Sequence, residues 1–240
     1  MGSVGRGDGP WAATTFLGRL DDRDRRDLLA AGVRRSFPPG RRLLAEGDDS
    51  RHIELIERGF VKITTVSADL ADVVLAIRGP GDIVGELAAI SGNQRSATAT
   101  TCGRVVSVAV RRLEFEAFLA AHPAAAARLT QAVGEKLLWA NRRRSDFAGC
   151  PATVRVARVL FELIPICGRP HGDGVRIGIS LTQPELASMI GGKESTVHKA
   201  LRELRAAGII ATGYSEITVI DPGQLDKLRN FEEPGFPPDP

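Results

Sequence analysis

The spacing of apolar side chains changes period twice along this chain. Residues 21–31 are charged except for Leu28, Leu29 and flanking alanines, which predicts a short amphipathic helix. From about Arg34 to Val110 the period shortens. Alternating or β-branched runs at Ile53–Ile56, Phe60–Thr65, Val73–Ile77, Ser96–Thr101 and Val105–Val110 are separated by turn formers: Pro38-Pro-Gly, Gly47-Asp-Asp, Gly79-Pro-Gly-Asp and Ser91-Gly-Asn. Many short strands at this spacing predict an antiparallel sandwich or jelly roll. No repeats or parallel strand–helix–strand units are found.

A helical period returns at Glu114–Ala121 and dominates from Pro123, well placed at a helix start, to about Phe147. Leu129, Val133, Leu137, Ala140 and Phe147 form a narrow stripe, with Arg142-Arg-Arg-Ser near its end. A narrow stripe suits a helix that pairs with a copy of itself; packing onto the sandwich is the alternative. Cys150-Pro151 breaks the helix, because Pro151 lacks an N–H and pushes Cys150 out of helical geometry. A hinge and domain boundary is expected there. Val154–Leu163 then reads as a helix buried through Val156, Val159 and Leu160. Gly168-Arg-Pro-His-Gly-Asp-Gly reads as a loop, and Val175–Ile179 as a short strand.

Two further helices follow. Thr182 and Glu185 have capping-box spacing, with Pro184 in the first turn. Leu186, Ala187 and Ile190 face inward, Gly191-Gly192 makes a turn, and a second helix from Lys193 or Glu194 buries Val197, Leu201 and Leu204. This is helix-turn-helix geometry. Two β-rich runs around Gly213-Tyr-Ser, within 209–220, complete a winged helix. The fold class is α+β. A disordered terminus over 1–16 precedes a sensing jelly roll over 17–121, a long helix over 122–149 and a winged helix-turn-helix over 150–229. A disordered tail takes up 230–240.

Composition narrows the function. At 43% hydrophobic and 25% charged residues the chain is an ordinary globular protein, and its net charge of +3 is compatible with nucleic acid. No run of 18 apolar residues and no secretory leader are present, so a cytoplasmic protein with no membrane partner is expected. Cys102, Cys150 and Cys167 are far apart and the four histidines lack paired spacing, so no metal site is expected. The cysteines read as small buried hydrophobes. No nucleophile–base pair or paired catalytic carboxylates emerge, so an enzyme is not expected.

The chemistry concentrates in 81–99. Glu86 and Arg95 face each other across a short loop, with small residues Gly85, Ser96 and Ala97 beside them. Arg95 can hold a phosphate bidentately, Ser96 and turn N–H groups can complete its bonding, and Glu86 can accept from ribose hydroxyls. A surface ion pair in a turn is the plainer reading.

The order Gly85-Glu86-Leu87, then Arg95-Ser96-Ala97, resembles the phosphate-binding cassette of cyclic-nucleotide-binding domains. From roughly Leu17 to Ile220 the chain resembles the Crp/Fnr family of bacterial transcription regulators. The resemblance implies a homodimer paired through the long helix, an allosteric cyclic nucleotide such as cyclic AMP, a near-palindromic duplex DNA site and RNA polymerase as a partner. It also implies ligand contacts at Lys136, Ala140 and Asn141. Ala140 cannot hydrogen-bond a base, whereas Asn141 can.

On the second helix of the reading head, Lys193, Ser195, Thr196, His198, Lys199 and Arg202 offer cations and hydroxyls to phosphates and bases, with Thr182 at the preceding cap. Where many members of the family carry an Arg-Glu pair, this chain has Glu194 and Ser195. A carboxylate cannot donate to guanine but can accept from cytosine, so a different operator is expected. Three alternatives stand beside this reading: another ligand, no ligand, or a helical pair that binds protein instead of DNA.

Overall fold

The computed structural model describes residues 11–67 and 72–230. Contacts divide the chain into two compact units, one ending at Leu138 and one starting at Trp139.

The first unit begins with α1 (Phe16–Arg19) and α2 (Asp22–Ala30), capped by Thr15 and Asp21. Strands β1 (Val33–Phe37), β2 (Arg42–Leu44), β3 (Ile53–Arg58), β4 (Val61–Val66), β5 (Asp72–Arg78) and β6 (Ile83–Val84) follow. Then come α3 (Glu86–Ser91), β7 (Thr98–Thr101), β8 (Val105–Val110), α4 (Arg112–Ala121) and α5 (Pro123–Gly149). The strands form two four-stranded sheets, β1-β8-β3-β6 and β2-β7-β4-β5, with antiparallel pairing throughout.

Strand alternation sorts the side chains into two cores. Leu44, Ile56, Val61, Val84, Ala99 and Val105 pack together as one. Ile53, Leu55, Val108 and Val110 pack against Phe16, Leu28, Phe115, Phe118 and Leu129 of the helices. The first half of α5 is bound into that second core through Ala125, Leu129 and Val133. Leu137 and Leu138 are more than half exposed.

The second unit holds the rest of α5, then α6 (Ala152–Cys167), β9 (Gly168–His171), β10 (Gly174–Ile177), α7 (Gln183–Met189) and α8 (Glu194–Ala206). It ends with β11 (Ile210–Gly213), β12 (Glu216–Val219) and α9 (Pro222–Arg229). The sheet order is β11-β12-β10-β9. Val156, Leu160, Leu186, Met189, Val197, Leu204, Val219 and Leu225 are buried. Arg143 donates to Glu162 at 3.2 Å and its guanidinium stacks on Trp139, while Arg158 pairs with Asp146. These contacts tie the end of α5 to α6.

Several expectations need correction. Residues 11–16 are ordered: Trp11 packs on the core, Thr15 caps α1 and Phe16 is buried. Positions 1–10 and 231–240, expected as disordered ends, lie outside the described residues. The expected loop after Gly85 is the helix α3, bounded by left-handed Gly85 and Gly92. α6 runs through Pro165 to Cys167, because a proline in the last turn removes only one helical bond. The expected loop at 168–174 contains β9. The compact units part within α5 and not at Cys150, because the two halves of that helix pack on different cores. Cys167 is buried, but Cys102 and Cys150 are partly exposed.

Candidate functional site

The cassette is built around one glycine. Gly85 caps α3 with φ +84°, in the left-handed region that glycine enters at no steric cost. A Cβ there would meet Arg95 Nη1 at 2.6 Å and Leu44 Cδ1 at 2.9 Å. Arg95, only 3% exposed, lies against that backbone. Its Nη1 donates to Gly85 O at 2.7 Å, Nη2 to His52 O at 2.5 Å, and Nε to Ser50 Oγ at 3.2 Å. Burial pulls its pKa below the usual arginine value; Asp48, Glu54 and Glu86 oppose that and favour the charge.

Glu86 opens α3 and is 4% exposed. Its Oε1 accepts from Lys136 Nζ at 2.9 Å, and Lys136 also donates to Ile83 O at 2.9 Å. Burial pushes the Lys136 ammonium below the ordinary lysine range, Glu86 counters, and Arg78 adds to the lowering. The expected face-to-face pairing of Glu86 and Arg95 is therefore corrected. Arg95 bonds to the carbonyl of Gly85, and Glu86, the next residue, is held by Lys136.

The other cassette residues are more open. Leu87 and Ser96 are exposed and Ala97 is half-buried. Ala140 and Asn141 are exposed residues of α5 in the second unit. His52, Ser50 and Asp48, which surround Arg95, escaped the sequence reading. Their segment reads only as the Gly47-Asp-Asp turn, and carbonyl acceptors carry no side-chain signal. Arg95 commits three of five N–H groups to protein oxygens, so two remain for an anion. Buried carboxylate, guanidinium and ammonium groups side by side suit a small anion bearing hydroxyls.

The second site lies on α7 and α8. Thr182 caps α7, and the capping box with Glu185 is formed. Gly191 makes the turn at φ +59°, where a Cβ would strike the Phe147 ring at 2.7 Å. Val197, Ala200, Leu201 and Leu204 are buried, so Lys193, Glu194, Ser195, His198, Lys199 and Arg202 are left exposed on one face, with Thr196 half-buried. A groove of about 380 Å³ runs between this face and the β11–β12 hairpin, lined by Thr182, Gln183, Glu194, His198, Tyr214 and Glu216 among others. The sequence reading missed Gln183 and Tyr214. Tyr214, 99% exposed at the hairpin tip beside positive-φ Ser215, is a large apolar ring in a turn, a detectable signal.

Among the described residues, no cluster of three or more His, Cys, Asp or Glu side chains could hold a metal ion, and no helix is long and apolar enough to cross a membrane.

Both regions match known protein families. The family described as "Cyclic nucleotide-binding domain" matches residues 34–122, and "Crp-like helix-turn-helix domain" matches 154–228. A CRP-like cAMP-activated global transcriptional regulator from Mycobacterium tuberculosis is 30% identical over 189 residues, 79% of this chain and 84% of the relative. A cyclic AMP receptor protein from Thermus thermophilus is 24% identical over 195 residues, covering 81% and 87%. The crystal structure of a CRP/FNR-family transcriptional regulator from Thermus thermophilus superposes with a TM-score of 0.69 at 25% identity, covering 83% of this chain and 99% of that one.

Proposed function

The chain belongs to the Crp/Fnr family of transcription regulators, whose members matched here are regulators and not enzymes, and we propose that it is a homodimeric cytoplasmic regulator whose DNA affinity is set by cyclic AMP. The observation that carries this reading is the convergence of Glu86, Arg95 and Lys136, all buried or half-buried, around left-handed Gly85. Arg95 takes the cyclic phosphate through its remaining N–H groups, with Ser96 at the rim. Glu86 accepts from the ribose hydroxyl. Leu87 and Ala97 line the entrance. Of Ala140 and Asn141, only Asn141 carries a side chain that can hydrogen-bond a base.

Exposed Leu137 and Leu138 support pairing of α5 with a second copy. Two reading heads then meet a near-palindromic duplex with recognition helices about 34 Å apart. Thr182, Lys193, Ser195, Thr196, His198, Lys199 and Arg202 contact phosphates and base edges. RNA polymerase is the partner at the promoter. The ligand acts by population shift: it favours the DNA-competent arrangement only to the extent that it binds that arrangement more tightly.

The test is calorimetric titration with cyclic AMP and cyclic GMP. Glu86→Ala and Arg95→Ala are expected to weaken cyclic AMP binding at least about tenfold while the chain stays folded. Unchanged affinity in both variants refutes the assignment.

One observation favours a second reading, the same fold with another ligand or none. Arg95 and Glu86 already have internal partners, and Ala140 offers nothing to a base. Tight binding of cyclic AMP excludes it.

A further inference from the structure

The carboxylates of the second unit are almost all engaged. Glu162 accepts from Arg143, Asp146 pairs with Arg158, Glu185 closes the capping box, and Glu203 accepts from Thr153. Glu216 pairs with Arg176, Asp221 with Gln224 and Asp226 with Arg229. Among the described residues of this unit, only Glu194 and Asp173 have no such partner. Asp173 is exposed and lies between β9 and β10. Glu194 is the first residue of the recognition helix, exposed at the groove. Lys193 beside it and His198 one turn on do not pair with it.

We infer that Glu194 is a specificity-determining residue that reads the 4-amino group of cytosine in the major groove. The inference rests on the DNA-binding reading above. A free carboxylate only accepts hydrogen bonds, so phosphates and acceptor edges repel it. The major groove offers it two donors, the amino groups of cytosine and adenine. Adenine's amino group lies between two acceptors, its own N7 and the O4 of thymine. Cytosine's has an acceptor on one side only, the O6 of its paired guanine. The second carboxylate oxygen is therefore repelled less at cytosine. Guanine presents acceptors alone and is rejected. A carboxylate at this position also favours the helix dipole, which explains its presence without DNA; that role sets helix stability and carries no base preference.

The experiment is selection from random duplexes by the full chain with cyclic AMP, for wild type, Glu194→Ala and Glu194→Gln. Wild type is expected to require cytosine at one position of each half-site by at least about fivefold. Glu194→Ala should lose that preference at that position alone. Glu194→Gln should move it to adenine, which a carboxamide contacts through both N6 and N7. Replacing the selected cytosine with a pyrimidinone lacking the 4-amino group should weaken wild type and leave Glu194→Ala unchanged. Wild type that selects a site whose base preferences are unaltered by Glu194→Ala overturns this inference and leaves DNA binding standing. Wild type that binds no duplex overturns both.

Discussion

Lys136 reaches from α5 to the cassette helix and donates to Glu86 across 2.9 Å, closing over the carboxylate that opens α3. Glu86 is almost fully buried, and that ammonium is its hydrogen-bond donor. Lys136→Met keeps the aliphatic stem and removes the cation. It should destabilise the first unit by about 3–5 kcal/mol, the cost of leaving a buried charge without its partner. Adding Glu86→Gln should recover much of the loss. Thermal unfolding of the three chains checks this, and an unshifted Lys136→Met transition contradicts it.

Gly85 positions Arg95 by having no side chain. Gly85→Ala forces a β-carbon into the left-handed region and toward Arg95 Nη1 at 2.6 Å. The backbone strain costs about 1–3 kcal/mol, and the displaced guanidinium should lose nucleotide affinity. A calorimetric titration of Gly85→Ala matching wild type contradicts that geometry.

The order of elements was legible because alternation, turn formers and capping residues are local signals. Thr182 and Glu185 announce α7, and Cys150-Pro151 announces the break between α5 and α6, as observed. α3 escaped because six residues between glycines look like a turn, although left-handed glycines at both ends are also how a short helix is bounded. The cassette residues were legible by type but not by partner. Nothing local says that Arg95 will turn to the carbonyls of His52 and Gly85, because those acceptors are backbone and are brought close only by the sheets. The division of α5 at Leu138 was illegible for the same reason: the apolar stripe continues while the core beneath it changes.

Lys199 is exposed on α8 without a partner among the described residues. If it meets a phosphate, Lys199→Ala should weaken all duplexes alike and lower the slope of log affinity against log salt by about 1. Gel-shift titrations at several fixed salt concentrations measure both. An unchanged slope contradicts the contact.

Glu162 carries a pH signature. Burial raises its pKa above the ordinary carboxylate value, against the pull of Arg143 and the hydrogen bond from Trp139. The folded chain therefore binds this proton more tightly than the unfolded chain. Stability from it is complete below about pH 4.5 and is lost as pH rises through the raised value. Glu162→Gln should gain on wild type in melting temperature as pH rises from 4.5. A pH-independent difference between the two contradicts this.

The most direct test of the central claim is the affinity of the selected duplex for the full chain, read by fluorescence anisotropy at fixed salt with and without cyclic AMP. Coupling between the cassette and the reading head predicts a rise of about fivefold or more in wild type, and none in Arg95→Ala. Equal affinity of wild type in the presence and absence of the nucleotide would contradict it.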